Sequence, residues 1–569
     1  GVLSILGNTS LDTSADLQVG NAIVVGQQLT LGGSHDLTLS GALSGNGALI
    51  KNGNGQLLLT GTSTYTGNTS VNAGGLTVNG TFASANVQIA SGASLAGSGT
   101  LSGQVGLADG ANLNVASATA PLTVGGLSLA STSNLNFTLG APNSATSMVK
   151  VNGNLTLDGL LNISNGGGFG PGVYQLFSYG GSLTNNGLDF GSLPGGILAA
   201  QLELQTSIAN QINLVVGEAD GNLVFWNGSK TSADGTISGG SGTWGADTNW
   251  TNSSGSNANG WSGGQFAVFG GQKGTVTVSG QRVFSGIQFL ADGYNLVGGT
   301  GDSLEAVNAA DGTLAALRVA SDATATINTA IVGEGGIQKL DGGTLLLGGA
   351  NTYSGGTLIS AGILQGNTTS LQGSIVNDAS LIFQQDVDGR FGGTLGGTGK
   401  AIKRGLGNLL FTGYNDFSGT FTVEEGVLQV GETAEEEPAP VVASFARMAL
   451  FAVPVGDTLA ADITVNSGAA LTGTGTVNSV VNNGTVQPGA NGNLTVTGDF
   501  TNTSNGTLNI NLTPLPTSYL AVGGTANLAG TLNVFAVASY AGDTTYTLLT
   551  ADGGITGKFD KDNTASLGV

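Results

Sequence analysis

Lys339-Leu340-Asp341-Gly342-Gly343-Thr344-Leu345-Leu346-Leu347-Gly348-Gly349-Ala350-Asn351-Thr352-Tyr353-Ser354-Gly355-Gly356-Thr357 is the passage on which the fold turns. It reads as a Lys, a Gly-rich turn, a hydrophobic triplet, a Gly, an aromatic residue and a second Gly. A short strand ending near Leu364 closes the unit. The same order returns from Lys51 (Leu57-Leu58-Leu59, Gly61, Tyr65, Gly67) and from Lys403 (Leu409-Leu410-Phe411, Gly413, Phe417, Gly419). A unit of short strands joined by Gly turns has no partner for its apolar face. Stacked on a copy of itself it has one, so the repeat predicts a β-solenoid.

The composition agrees. The chain has 569 residues with 101 Gly and no Cys, and only 9% of its residues are charged. That length exceeds one compact core, whereas a solenoid core grows by adding coils. Alternation such as Leu155-Thr156-Leu157 and Leu508-Asn509-Ile510-Asn511-Leu512 is the period-2 pattern of strands with one dry face. The class is therefore all-β. At about 20–25 residues per coil and about 4.8 Å per stacked strand, on the order of 25 coils would reach about 100–120 Å. A net charge of −21 with 14 Lys+Arg excludes nucleic acid and anionic membranes as partners, since both require clustered cations. The dispersed acids are read as keeping an apolar stack soluble.

A larger duplication encloses the short repeat. Val87-Gln88-Ile89 and Leu95–Leu101 match Ile463-Thr464-Val465 and Leu471–Val477, and Val151–Gly159 matches Val522–Gly530. Residues 47–185 thus recur as 399–557. The second copy is longer by Glu432 to about Leu459, where Glu435-Glu436-Glu437-Pro438-Ala439-Pro440 reads as an exposed lead. Phe445, Met448, Ala449 and Ala452 then have the spacing of a short helix closed by Pro454. This gives a β-helix at 1–217, a Trp-rich module at 218–300, β-helix at 301–431, an extruded loop at 432–460 and a final β-helix at 461–569. Gly1-Val2-Leu3-Ser4 reads as the middle of a coil, so a longer protein is expected.

The unit Gly343–Thr357 resembles the autotransporter-associated β-strand repeat of Gram-negative bacteria. Tyr519–Phe559 is similar to the autochaperone segment that closes such passengers, and a comparable block ends internally near Gly217. The resemblance implies a right-handed parallel β-helix, exported through the periplasm by type V secretion to the cell surface or beyond. The missing cysteines fit that route, because a disulfide formed on the way would obstruct a narrow pore. It implies an outer-membrane translocator barrel that this chain does not contain. The expected activity is that of an adhesin or a self-associating rod in cell aggregation or host attachment. Its partners would be other copies of itself, or a surface glycan or protein. The rival reading is a stalk for a protease or esterase upstream of Gly1, or a glycan-active β-helix.

Candidate chemistry is sparse, and no catalytic residue, cofactor or metal is expected. Gly301-Asp302-Ser303-Leu304 has the letters of a serine-esterase signature, but the sole histidine is His35, far upstream. Gly298–Asp302 and Gly392–Ala401 approach calcium and phosphate loops without completing them. Asp386, Asp388 and Arg390 have the spacing of one strand face, a place where a glycan-cleaving site would sit. Trp226, Trp244, Trp250 and Trp261 either stack on sugars or fill a capping layer. Lys51, Lys339 and Lys403 are read as decorating one edge, their stems covering apolar surface. Phe445, Arg447, Met448, Leu450 and Phe451 form the candidate partner-binding loop.

Overall fold

The computed structural model describes residues 1–116, 120–142, 146–217, 223–309, 312–431, 457–490, 492–512, 518–536 and 545–563. They form two compact units. One comprises residues 1–238, 248–260 and 266–271, and the other comprises residues 239–247, 261–265 and 272–569.

Each unit is a parallel β-helix. In the first, Thr9–Leu11, Leu29–Leu31, Leu49–Lys51 and Thr69–Val71 stack in parallel, each 20 residues beyond the last. A second wall runs through Leu37–Leu39, Gln56–Leu59, Gly75–Val78 and Ser94–Ala96. Alternation decides what faces inward: in Leu29–Leu31 the two leucines are buried and Thr30 is not. The parallel order breaks at Gly172–Tyr179, which is parallel to Val149–Val151 but antiparallel to Gln211–Val216. Gln211–Val216 is in turn antiparallel to Leu202–Gln205.

In the second unit one wall of 14 strands runs from Gly242–Trp244 to Ile555–Gly557. Flanking walls include one from Gly389–Phe391 to Lys561–Asn563 and one from Tyr414–Asn415 to Leu549–Ala551. Among the described residues the sole helical turn is Ala199–Gln201. Phe445, Arg447, Met448, Leu450 and Phe451, with the short helix expected around them, lie outside the described residues. The chain on either side is held in the coil. Gly431 N donates to Phe411 O at 2.9 Å and Thr458 N to Gly413 O at 2.8 Å. Thr458–Leu459 is a strand between Tyr414–Asn415 and Thr476–Val477, and Leu459 is fully buried. A methyl placed on Gly431 would lie 3.3 Å from Asp457 Oδ2, so the two ends are neighbours.

Excising 432–456 and joining Gly431 to Asp457 through a short Gly-Ser link should move the thermal midpoint by only a few degrees, because the coil closes without the segment. Extending the deletion through Leu459 removes a strand and a core side chain, and should lower the midpoint clearly further.

Candidate functional site

The repeat letters place chemistry inside the coil. In Leu49–Lys51 and Ile337–Leu340 the inward positions alternate with outward ones, and Lys51 and Lys339 fall on the inward set. Lys51 is 2% exposed and Lys339 and Lys403 are 0% exposed. The expected edge decoration is therefore corrected, since each ammonium ends among main-chain carbonyls. Lys339 Nζ donates to Leu340 O at 2.6 Å, Asp341 O at 2.7 Å and Ala361 O at 3.3 Å. Lys403 Nζ donates to Arg404 O at 3.1 Å, Gly405 O at 2.5 Å and Glu425 O at 3.0 Å. Lys51 Nζ reaches Gly53 O, and Ala73 O at 3.4 Å. In all three the last partner lies 22 residues on, in the turn of the next coil. The cation clamps two successive turns. Burial pulls the ammonium of Lys339 down to about 8 and those of Lys51 and Lys403 below the usual lysine range.

Other repeat letters do similar work. Asn351 Oδ1 accepts from Ile331 N at 2.8 Å while its Nδ2 donates to Ser370 O at 2.7 Å. Asn415 accepts from Leu395 N at 2.7 Å and donates to Thr458 O at 3.1 Å. Ser63, at the same place in the first repeat, donates to Leu43 O at 2.9 Å. Tyr65, Tyr353 and Phe417 are buried beside these corners. Burial pushes the hydroxyls of Tyr65 and Tyr353 up to about 12. Gly67, Gly355 and Gly419 are glycine because a methyl there would overlap Gly47 O, Gly336 N and Gly399 O of the coil below. In the middle repeat Asp341 occupies a left-handed position (φ 61°) and pairs with the buried Arg318 guanidinium at 2.8 Å.

Several acids read from sequence as solubilising also bond across the coils. Asp16 Oδ1 accepts from Asp36 N at 3.0 Å, and Asp36 Oδ1 from Gln56 N at 2.7 Å. Asp499 Oδ1 accepts from Thr525 N at 2.7 Å.

The chemical candidates are not brought together. Asp386 and Asp388 lie in the turn before the strand Gly389–Phe391 and do not share a strand face with Arg390. Asp386 Oδ1 accepts from Gln384 Nε2 at 2.9 Å, Asp388 Oδ1 from Asn408 N at 2.8 Å, and Arg390 Nε donates to Thr412 Oγ1 at 3.2 Å. The two carboxyl oxygens of Asp302 accept from Gly280 N at 2.6 Å and Gly299 N at 2.7 Å, which holds its carboxyl below the usual range. Ser303 and His35 belong to different units. Trp226, Trp244 and Trp250 are fully buried, so these rings offer no face to a sugar. Trp226 meets Trp250 edge-on at 5.1 Å and Trp244 meets Trp261 at 4.6 Å. Half-buried Trp261 donates Nε1 to Val283 O at 3.1 Å.

What faces outward is a set of amide rows. Asn136 Nδ2 donates to Asn114 Oδ1 at 2.9 Å and Asn162 Nδ2 to Asn136 Oδ1 at 3.0 Å. At the duplicated positions Asn509 donates to Gln487 at 3.3 Å and Asn533 to Asn509 at 2.9 Å, and beyond them Asn563 donates to Asn533 at 2.6 Å. The alternation Asn134–Leu139 and Thr507–Leu512 placed these amides on the outward face, but their linkage across coils needs the register.

The passenger-associated-transport-repeat family model matches residues 49–78, 337–365 and 402–430. Over 299 residues, 47% of this chain, the sequence is 36% identical to the adhesin BmaC autotransporter of Brucella suis biovar 1 (strain 1330). The matched stretch spans 8% of that relative's length.

Replacing Lys339 by Met keeps most of the side chain's volume and removes the donors of three carbonyls. Stability should fall by about 1–3 kcal/mol, visible as faster amide exchange in the turns around 341 and 361. The difference is pH-dependent. Native Lys339 releases its proton near pH 8, whereas the unfolded chain holds it to about pH 10.4. In that window the unfolded state binds more protons, so the wild type gains stability as pH rises. The midpoint gap between wild type and K339M should widen from pH 8 to 10, while tyrosine ionisation above pH 10 affects both proteins alike.

Proposed function

We propose, from the premise that this chain is an autotransporter passenger with passenger-associated transport repeats, exported through the periplasm to the outer surface, that it acts as a non-catalytic adhesive β-helix protein. It would associate with further copies of itself or attach to a host or bacterial surface. The observation that carries the reading is the pair of outward amide rows at duplicated positions. Each donating Asn of a ladder uses one of its two N–H groups on the preceding coil, so it keeps a donor for a partner. The rows repeat at the spacing between stacked strands, so a second copy of the face presents groups at matching intervals. The adhesin named among its relatives supports the same activity.

Asn136→Lys combined with Asn509→Lys puts a charge into each row while leaving the buried alternation intact. Cells displaying the full-length protein should clump and attach at least about fivefold less, since like charges facing each other in a paired interface cost several kcal/mol. The purified variant should melt within a few degrees of wild type. Clumping and attachment both unchanged by the two substitutions would overturn the reading.

A further inference from the structure

The break in parallel order at Gly172–Tyr179 creates a groove in the first unit. Its volume is about 340 Å³, within the range of sites that hold a small ligand. Lys150, Asn152, Gln175, Ser178, Tyr179 and Gln211 supply its polar lining. Lys150 is the register partner of Ser178, and Ser178 of Gln211, so these three stand side by side across three strands.

A bulge between Gln175 and Phe177 explains the arrangement. Leu176 and Phe177, though adjacent, are both buried in the core. Alternation is thereby reset, and Gln175 and Ser178 fall on the same outward face. Gln175 is only 6% exposed as a residue and lines the groove. Asn210 is held in the left-handed region (φ 66°), where its carbonyl accepts from Tyr179 N at 3.0 Å.

The lining chemistry identifies the ligand class. Amides and a hydroxyl converge beside Tyr179, whose ring packs on the core at one side and is half-exposed at the other. That combination fits a pyranose, with a flat face for the ring and a crown of hydroxyls for the amides. The charge is also selective. In a chain with 35 acidic and 14 basic residues, no carboxylate lines the groove and one lysine does. The geometry points to a binding site for a carboxylated sugar residue, with Lys150 taking the carboxylate, Gln175 and Gln211 the hydroxyls and Tyr179 the ring face. The inference deepens the attachment reading and rests on it.

The test is titration of purified 1–569 with 3′-sialyllactose, a digalacturonate and neutral lactose, followed by calorimetry or ligand-observed NMR. At least one acidic sugar should bind at least about tenfold more tightly than lactose. Lys150→Gln should abolish that preference. Tyr179→Leu, which keeps an apolar contact with the core, should weaken every sugar at least tenfold without lowering the thermal midpoint by more than a few degrees. Absence of binding by both acidic sugars, or equal binding by wild type and K150Q, overturns the assignment. Clumping and attachment assays on cells carrying K150Q separate the two readings. Adhesion that persists with no sugar bound by the wild type refutes the groove and leaves the adhesive reading standing. Loss of clumping in N136K/N509K with sugar binding retained assigns the two activities to different faces.

Discussion

A peptide group at the corner of a coil has no strand beside it by right. Along the walls of a parallel β-helix every N–H and C=O meets the coil above or below, but at the turns the ladder lapses, and a buried carbonyl without a donor is expensive. The repeat is built around that constraint. An ammonium carries three donors and no acceptor, and Lys339 directs its donors to Leu340 O, Asp341 O and Ala361 O. Asn351 and Asn415 satisfy one N–H behind and one carbonyl ahead. Asp36 and Asp499 accept from the N–H of the following coil. Three residue types thus meet one obligation, and each joins a coil to its neighbour.

The price is the burial of a charge. A lone ammonium in an apolar coil would lose its proton, and the lowered affinity of Lys339 for its proton is the trace of that penalty. Three carbonyl dipoles held in place by two successive turns offset it. The arrangement also specifies register. A shift of one residue would turn Lys339 to solvent, Ile337 with it, and leave the turn carbonyls bare.

Much of the fold was legible because burial follows period 2. Leu345 and Leu347 point inward and Leu346 outward, as the triplet in a strand requires. The same rule put Lys339 two places from Ile337, on the inward face, and the sequence reading discounted it because a charge is ordinarily wet. Pattern deserved more weight than residue type. The aspartate joints were beyond reach, since they depend on which backbone lies about 20 residues away in space. So was the groove beside Tyr179, which follows from a bulge and a reversal of strand direction that leave no letter in the chain. The tryptophans were legible only as alternatives, because an aromatic cluster amid glycines has the same composition whether it caps a coil or faces a ligand.

A division of labour follows between the two sides of each strand. Inward positions and corners are committed to stacking, so the repeat's distinctive residues are not available for recognition. Outward positions answer to almost no packing constraint and are free to carry a surface function. Their amides are already hydrated and already linked to one another, so exchanging water for a partner gains little at any single residue. A row gains by number, because once one amide is docked its neighbours meet theirs at high effective concentration. On the proposed reading, adhesion built this way would be weak per coil and strong per molecule, and would strengthen each time a coil is added. That scaling makes duplication of a coil cassette, with its amide row carried along, a direct route from a stable stack to an adhesive one.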